Sequence, residues 1–215
     1  NTHTHTISLL FINFLLPFLL QNTHASHTRS LTRFVFSAIG GYVWNDVNGD
    51  GQQDNTTEPA LPGVTVTLKT CSGQTVATTT SDATGYYVFD NIAPGCYYVE
   101  FSTVPAGLIP TRPDLGADET DSDISPPGRT ANLTVAAGES PSVGAGFVQP
   151  ASIGTFVWLD SNADGVQQGN ESGLAGVPVT LFENSTIVAT TVSSSEGFYS
   201  FTGFLPGSYR VESAA

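Results

Sequence analysis

The sequence predicts an all-β chain made of repeated antiparallel β-sandwich modules, the second of them truncated. Three observations predict it. Gly and Pro are frequent, at 22 and 13 of 215 residues, and Thr, Ser and Val dominate the rest, a composition of short strands broken by turns. Val64-Thr65-Val66-Thr67-Leu68 alternates apolar and polar side chains, the period of a half-buried strand. The third observation is a duplication: W-N-D-V-N-G-D-G-Q-Q-D at 44–54 returns as W-L-D-S-N-A-D-G-V-Q-Q at 158–168.

The duplication extends through the following sequence, block by block. Gly40–Trp44 corresponds to Gly154–Trp158, and Pro62–Leu68 to Ala175–Leu181. Val76–Thr79 corresponds to Val188–Thr191, Gly85–Phe89 to Gly197–Phe201, and Pro94–Glu100 to Pro206–Glu212. So many ordered matches define a repeat. One module is expected at 37–149 and a second at 152–215. Gly and Pro separate the blocks at the spacing of a sandwich. Asp82-Ala83-Thr84-Gly85 suits an Asx-stabilised turn with positive φ at Gly85, and Pro94-Gly95 a tight reversal.

The first module continues through an irregular crossing marked by Pro105, Pro110 and Pro113, then an acidic stretch, then strand candidates at 131–136 and 143–148. The second has no counterpart of these strands, so its sandwich is expected to be C-terminally truncated and marginally stable.

The N-terminus has a different character. Residues 7–20 form an apolar run broken by Pro17, too short for a spanning helix and suited to a signal-peptide core. Thr23-His24-Ala25 offers small residues for cleavage, so 1–25 is expected to be a signal peptide and 26–36 a linker. The chain has no Met, and its leading stretch has His3 and His5 but no Lys or Arg. The net charge of −13 argues against nucleic acid and anionic lipid as partners.

The acids are placed as calcium ligands would be. Calcium takes six to eight oxygens from carboxylates, amides and carbonyls. In the second module Asp160, Asn162 and Asp164 stand at positions one, three and five of an EF-hand-type loop. Gly165 takes the turn, Val166 offers its carbonyl, Gln168 stands at nine and Glu171 at twelve. In the first module Asp46, Asn48, Asp50 and Gly51 match, Gln52 offers its carbonyl and Asp54 stands at nine. Glu58 arrives one residue late, at thirteen, which puts a bidentate role in question unless a bulged loop delivers it. Magnesium fits this ligand number poorly, and zinc is disfavoured because no His follows residue 27 and only two Cys exist. A second acidic cluster, Asp114, Asp118, Glu119, Asp121 and Asp123, is either a solvated loop or a further cation site.

The pattern G-x-x-V-W-x-D-x-N-x-D-G-x-Q, then G-V-x-V-x-L, T-T-x-x-x-G-x-Y-x-F, P-G-x-Y-x-V and D-E-T-D-S-D resembles the SdrD B-type repeat. The match covers nearly all of 37–149 and the front half of the family module in 152–215. The resemblance implies an immunoglobulin-like or prealbumin-like Greek-key sandwich that binds calcium in stalk-like arrays of surface adhesins. It also favours a calcium site in the second cluster, with Asp121 and Asp123 as ligands and Asp118 as a third. Related modules sometimes carry a Lys–Asn crosslink; the sole lysine, Lys69, follows Leu68 instead of lying in the first strand, and no crosslink is expected.

Cys71 and Cys96 are replaced together by Asn184 and Ser208 in the second module, as a disulfide pair would be; two buried free thiols are the alternative. Asn55, Asn132, Asn170 and Asn184 stand in glycosylation sequons. The leading expectation is a non-enzymatic, secreted or cell-surface module whose partners are calcium and neighbouring repeats. The alternatives are a module recognising an extracellular protein or glycan, to which Tyr86, Tyr97 or Tyr98 could contribute, and a spacer attached to an extracellular enzyme. The modules lack the His of a catalytic triad, and their acids form no acid/base constellation.

Overall fold

A computed structural model of the chain describes residues 36–213. The expected signal peptide and all but the last residue of the expected linker lie outside the described residues. Among the described residues there is no helix, and so none able to cross a membrane.

The first repeat contributes ten strands: β1 (Ser37–Asn45), β2 (Thr65–Thr70), β3 (Thr75–Thr80), β4 (Tyr86–Ile92), β5 (Gly95–Ser102), β6 (Ile109–Pro110), β7 (Ile124–Ser125), β8 (Arg129–Thr130), β9 (Leu133–Val135) and β10 (Ala145–Val148). They form two sheets. One has the order β4-β1-β10-β6; the other runs β3-β2-β5-β8-β7, with β9 also on β5. The two share one core. Ile39, Val43 and Phe147 of the first sheet cluster with Val66, Leu68 and Val99 of the second. The Tyr87 and Phe101 rings bridge them edge to face at 5.5 Å. Burial follows the alternation: Val64, Val66 and Leu68 are fully buried, while Thr65 and Thr67 are half-buried. One pairing departs from the antiparallel expectation. β10 lies parallel to β1, with Val43 opposite Ala145 and Asn45 opposite Phe147, because the chain returns from the far sheet in β1's own direction.

The second repeat forms β11 (Ala151–Phe156), β12 (Pro178–Glu183), β13 (Thr186–Val192), β14 (Phe198–Phe204) and β15 (Tyr209–Ser213). β11 pairs with β14, and β12 lies between β13 and β15. These reproduce β1 to β5 element by element. The core is correspondingly small: Val179, Leu181, Tyr199 and Phe201, with Ile153, Val157 and Val211 half-covered around them.

Local chemistry repeats with the strands. Gly85 has φ of 81° and Gly197 of 80°, and the turns they close are capped by Asp82 and Ser194. Ser81 accepts from the Val64 N–H and donates to the Leu61 carbonyl; Ser193 does the same for Val177 and Leu174. Cys71 and Cys96 form a disulfide with Cα atoms 5.4 Å apart, tying the end of β2 to the start of β5. Lys69 makes a surface ion pair with Glu100 at 2.6 Å. The four sequon asparagines are exposed. Tyr97 and Tyr98, considered above as ligand-facing, are 7% exposed and belong to the interior. Tyr97 reaches back to the Ala93 carbonyl, as Tyr209 does to that of Leu205. Tyr86 alone of the three is exposed.

Candidate metal centre

The loop after β1 is shaped by its own polar side chains. Asp46 accepts the N–H groups of Gly49 and Gly51 at 2.6 and 2.8 Å. Asn48 accepts from Asp50 N–H and donates to its carboxylate, and Asp50 in turn accepts from Gln52 N–H. Such side-chain-to-backbone bonds hold a tight turn that neither helix nor ladder supports. The loop after β11 repeats the network: Asp160 accepts from Asp164 and Gly165, Asn162 pairs with Asp164, and Asp164 accepts from Val166. That last N–H, with help from Gln168 and Asn162, lowers the Asp164 pKa.

Glu58 and Glu171 make equivalent hydrogen bonds, although Glu58 stands one residue later in its loop. Glu58 accepts Val47 N–H and Asp54 N–H, both at 3.0 Å. Glu171 accepts Ser161 N–H and Gln168 N–H at 2.8 and 3.1 Å. The donors stand at equivalent places in both loops. The extra residue is absorbed between Asp54 and Glu58, where Glu58 N–H bonds the Asp54 carbonyl; in the shorter loop Glu171 N–H bonds the Gln168 carbonyl. Asp54 holds the wider turn through Thr56 and Thr57, whose hydrogen bonds lower its pKa. Burial raises the Glu58 pKa, and the Asp46 charge adds to the effect.

The surroundings of the two loops differ. Asp46 is fully buried, and its second oxygen also accepts the Thr111 hydroxyl at 2.5 Å. Thr111 has no part in the repeat and carried no signal in the sequence. The acidic crossing lies on the same loop: Gln53 N–H bonds the Thr120 carbonyl at 2.7 Å, and Ser122 N–H the Gly51 carbonyl at 3.1 Å. The Gln52 side chain reaches the Leu115 carbonyl. Asp160 is only half-buried, and Asn162, Asp164 and Val166 are exposed.

The crossing gathers three acids. Carboxylate oxygens of Asp118, Asp121 and Asp123 lie within 4.8 Å of one another. Asp123 is fixed toward β10, accepting Gly144 N–H at 2.6 Å. Asp121 is 7% exposed, and its Oδ1 is buried with no hydrogen-bond partner. Burial, reinforced by the neighbouring aspartates, pushes the Asp123 pKa up to about 7 and raises that of Asp121. Asp114 joins Asp118 and Asp123 in lining a cavity of about 240 Å³. Glu119 is exposed and outside the trio. An orphaned buried oxygen among crowded carboxylates is costly without a cation. A hard cation that takes carboxylate oxygens flexibly fits this donor set.

The first loop also meets the second repeat. Arg112 forms an ion pair with Glu183 at 2.5 Å and points a second hydrogen bond at the Pro206 carbonyl. A Cβ at Gly49 would lie 2.8 Å from the Pro206 ring, so glycine is required where the metal-type loop touches the turn between β14 and β15.

A family model described as the SdrD B-like domain matches residues 37–147 and 151–215. The chain is 41% identical over 177 residues to serine-aspartate repeat-containing protein F of Staphylococcus epidermidis, covering 81% of this chain and 10% of that protein. It is 40% identical over 176 residues to serine-aspartate repeat-containing protein D of Staphylococcus aureus (strain Newman), covering 81% and 13%. The chain thus spans about a tenth of the length of these relatives. Among solved structures it aligns with the minor pilin GBS52 of Streptococcus agalactiae at 13% identity and a TM-score of 0.37, over 83% of each chain. It also aligns with the Bacillus anthracis TIE protein at 16% identity and a TM-score of 0.34, over 84% of this chain and 29% of that one.

Proposed function

The chain belongs to the SdrD B-like domain family, and from that premise we propose that it is a calcium-binding, non-enzymatic stalk segment of a larger secreted or cell-surface protein. The observation that carries the calcium reading is the buried, unpartnered Asp121 Oδ1 beside Asp118 and Asp123. These three would hold the ion. Asp46, Asn48, Asp50, Gln52, Asp54 and Glu58 would supply the adjoining loop, and Asp160, Asn162, Asp164, Val166 and Glu171 its counterpart. A bound cation supplies charge neutralisation where the aspartates repel. The chain's own part is to fix Asp123 through the Gly144 N–H, and to bond the crossing to the first loop through the Ser122 N–H.

The stalk reading is supported by the repeat itself and by the Arg112–Glu183 contact between repeats. The disulfide fits an oxidising, extracellular setting. Calorimetric titration of the chelator-treated chain with calcium tests the reading. Binding heat that is lost in the Asp121→Asn/Asp123→Asn variant is expected; absence of heat in the native chain would remove calcium from the account.

One observation favours a second reading, direct recognition of a protein or glycan. Tyr42 and Tyr86 form an outward aromatic pair at 5.3 Å, and Phe156 and Phe198 repeat it at 5.3 Å. A partner captured by the intact chain and lost with Tyr42→Ala/Tyr86→Ala would establish this reading over a plain stalk.

A further inference from the structure

The outer face of β1 in the first repeat carries a cleft with no part in the core. Ala38, Gly40 and Tyr42 alternate with the buried Ile39, Gly41 and Val43, so they share the face turned away from the interior. A Cβ on Gly40 would lie 2.8 Å from the Tyr87 carbonyl oxygen, so the middle of this row stays bare. On one flank β4 sets Tyr86 opposite Tyr42, with the rings 5.3 Å apart and tilted by 55°. On the other flank Ser142 lies beside Gly40, and the next residue, Val143, donates its N–H to the Gly40 carbonyl at 2.9 Å. Together with Ser140 and with Glu119 of the acidic crossing, these residues line a cavity of about 250 Å³.

Cross-strand pairing alone would account for two aromatic rings at this place. It does not account for the bare row, the acid and the serines beside them. The lining is divided by chemistry: the tyrosines are exposed rings, and Glu119, Ser140 and Ser142 bring carboxylate and hydroxyl oxygens. A pyranose ring is divided in the same way, with an apolar C–H face and a rim of hydroxyls. Aromatic faces cover the first, and a carboxylate accepts from the second in charge-assisted hydrogen bonds. The volume lies below that of sites for drug-sized ligands and suits one ring. Charge narrows the choice further. Neither Lys nor Arg lines the cleft, and Asp118 and Asp121 stand close to Glu119 in the sequence, so an acidic sugar would meet like charge with no cation to pair it.

We propose that this cleft binds a terminal uncharged pyranose, with its C–H face on Tyr42 and Tyr86 and its hydroxyls bonded to Glu119 and the serines. The proposal rests on the recognition reading given above and names its ligand class. Phe156 and Phe198 repeat the aromatic pair at 5.3 Å without hydroxyls and provide an internal control for ring contact alone.

The test is saturation-transfer NMR on the full chain with the methyl glycosides of glucose, galactose, mannose, N-acetylglucosamine and sialic acid. Saturable transfer to the ring C–H protons of at least one neutral glycoside is expected, and none to the sialoside. Tyr42→Ala/Tyr86→Ala should weaken binding at least about tenfold, the scale of a ring stacked on an aromatic face. Glu119→Ala, at an exposed position, should weaken it several-fold, and Phe156→Ala/Phe198→Ala should leave it unchanged. Four results would overturn the proposal: no saturable neutral glycoside, equal binding of the sialoside, binding that survives both the tyrosine and the Glu119 substitutions, or loss of binding in the phenylalanine variant. Capture of a protein through Tyr42 and Tyr86 by a chain that binds none of these sugars would overturn the sugar assignment alone and leave the recognition reading standing.

Discussion

The loops after β1 and β11 have the same internal hydrogen bonds but unequal surroundings. Asp46 and Asp160 each tie down two N–H groups, and Glu58 and Glu171 each clamp the two ends of their loop. Asp46, however, is fully buried beneath Thr111 and β10, and a second set of acids is bonded to its loop. The second loop is open. The difference shows that loop shape is local, whereas a dry, acid-rich centre depends on chain that returns from far away in sequence.

The cores should show the largest difference. Leu68 and Leu181 are equivalent and both fully buried. Leu→Ala substitutions cost about 2–5 kcal/mol, the least where the site can collapse. Leu68→Ala should fall toward the upper end and Leu181→Ala toward the lower, measured by urea denaturation with probes in each repeat. Equal costs would show that the smaller second core is as well supported as the first.

The disulfide comes next. Its residues are separated by 25 positions in the first repeat alone. Cys71→Ser/Cys96→Ser should destabilise that repeat by about 3 kcal/mol on loop-entropy grounds, leaving the stability of 150–213 unchanged. A matching loss in both repeats would mean that they unfold as one unit.

A smaller effect is expected from pH. In chelator-treated protein, burial holds the folded-state pKa of Asp123 at about 7, above the ordinary aspartate value of 3.8. The folded state then holds more protons than the unfolded state across that window. Stability of the first repeat should therefore fall as pH rises from about 4 to about 7. Calcium should weaken or reverse the trend, and Asp123→Asn should flatten it. Thermal melts across this pH range check the sign, and a rise in stability with pH in the chelated native chain would contradict it.

The local half of this architecture was legible in the sequence. β1 to β5 follow from period-two alternation, and the loops from D-x-N-x-D-G. The turns follow from Asp82 and Gly85, and the disulfide from the joint absence of its residues in the second repeat. The non-local half was less so. β6, β7 and β8 have two residues each, too few to show a period, and Pro110 is tolerated because β6 is an edge strand. The parallel pairing of β10 and the Thr111–Asp46 bond join residues with no shared local pattern. Spacing along the chain puts Glu58 one residue late and leaves a bulged loop as the way to deliver it. The structure absorbs the extra residue in a wider turn and preserves the clamp.

Calcium-dependent hydrogen exchange most directly tests the claim that the acid trio and the first loop form one metal centre. Adding calcium to the chelated chain should slow exchange in 46–58 and 114–123 together. Asp121→Asn/Asp123→Asn should abolish both effects while leaving 160–171 as in the native chain. Protection of 46–58 that survives in the variant, or no protection of either segment in the native chain, would contradict it.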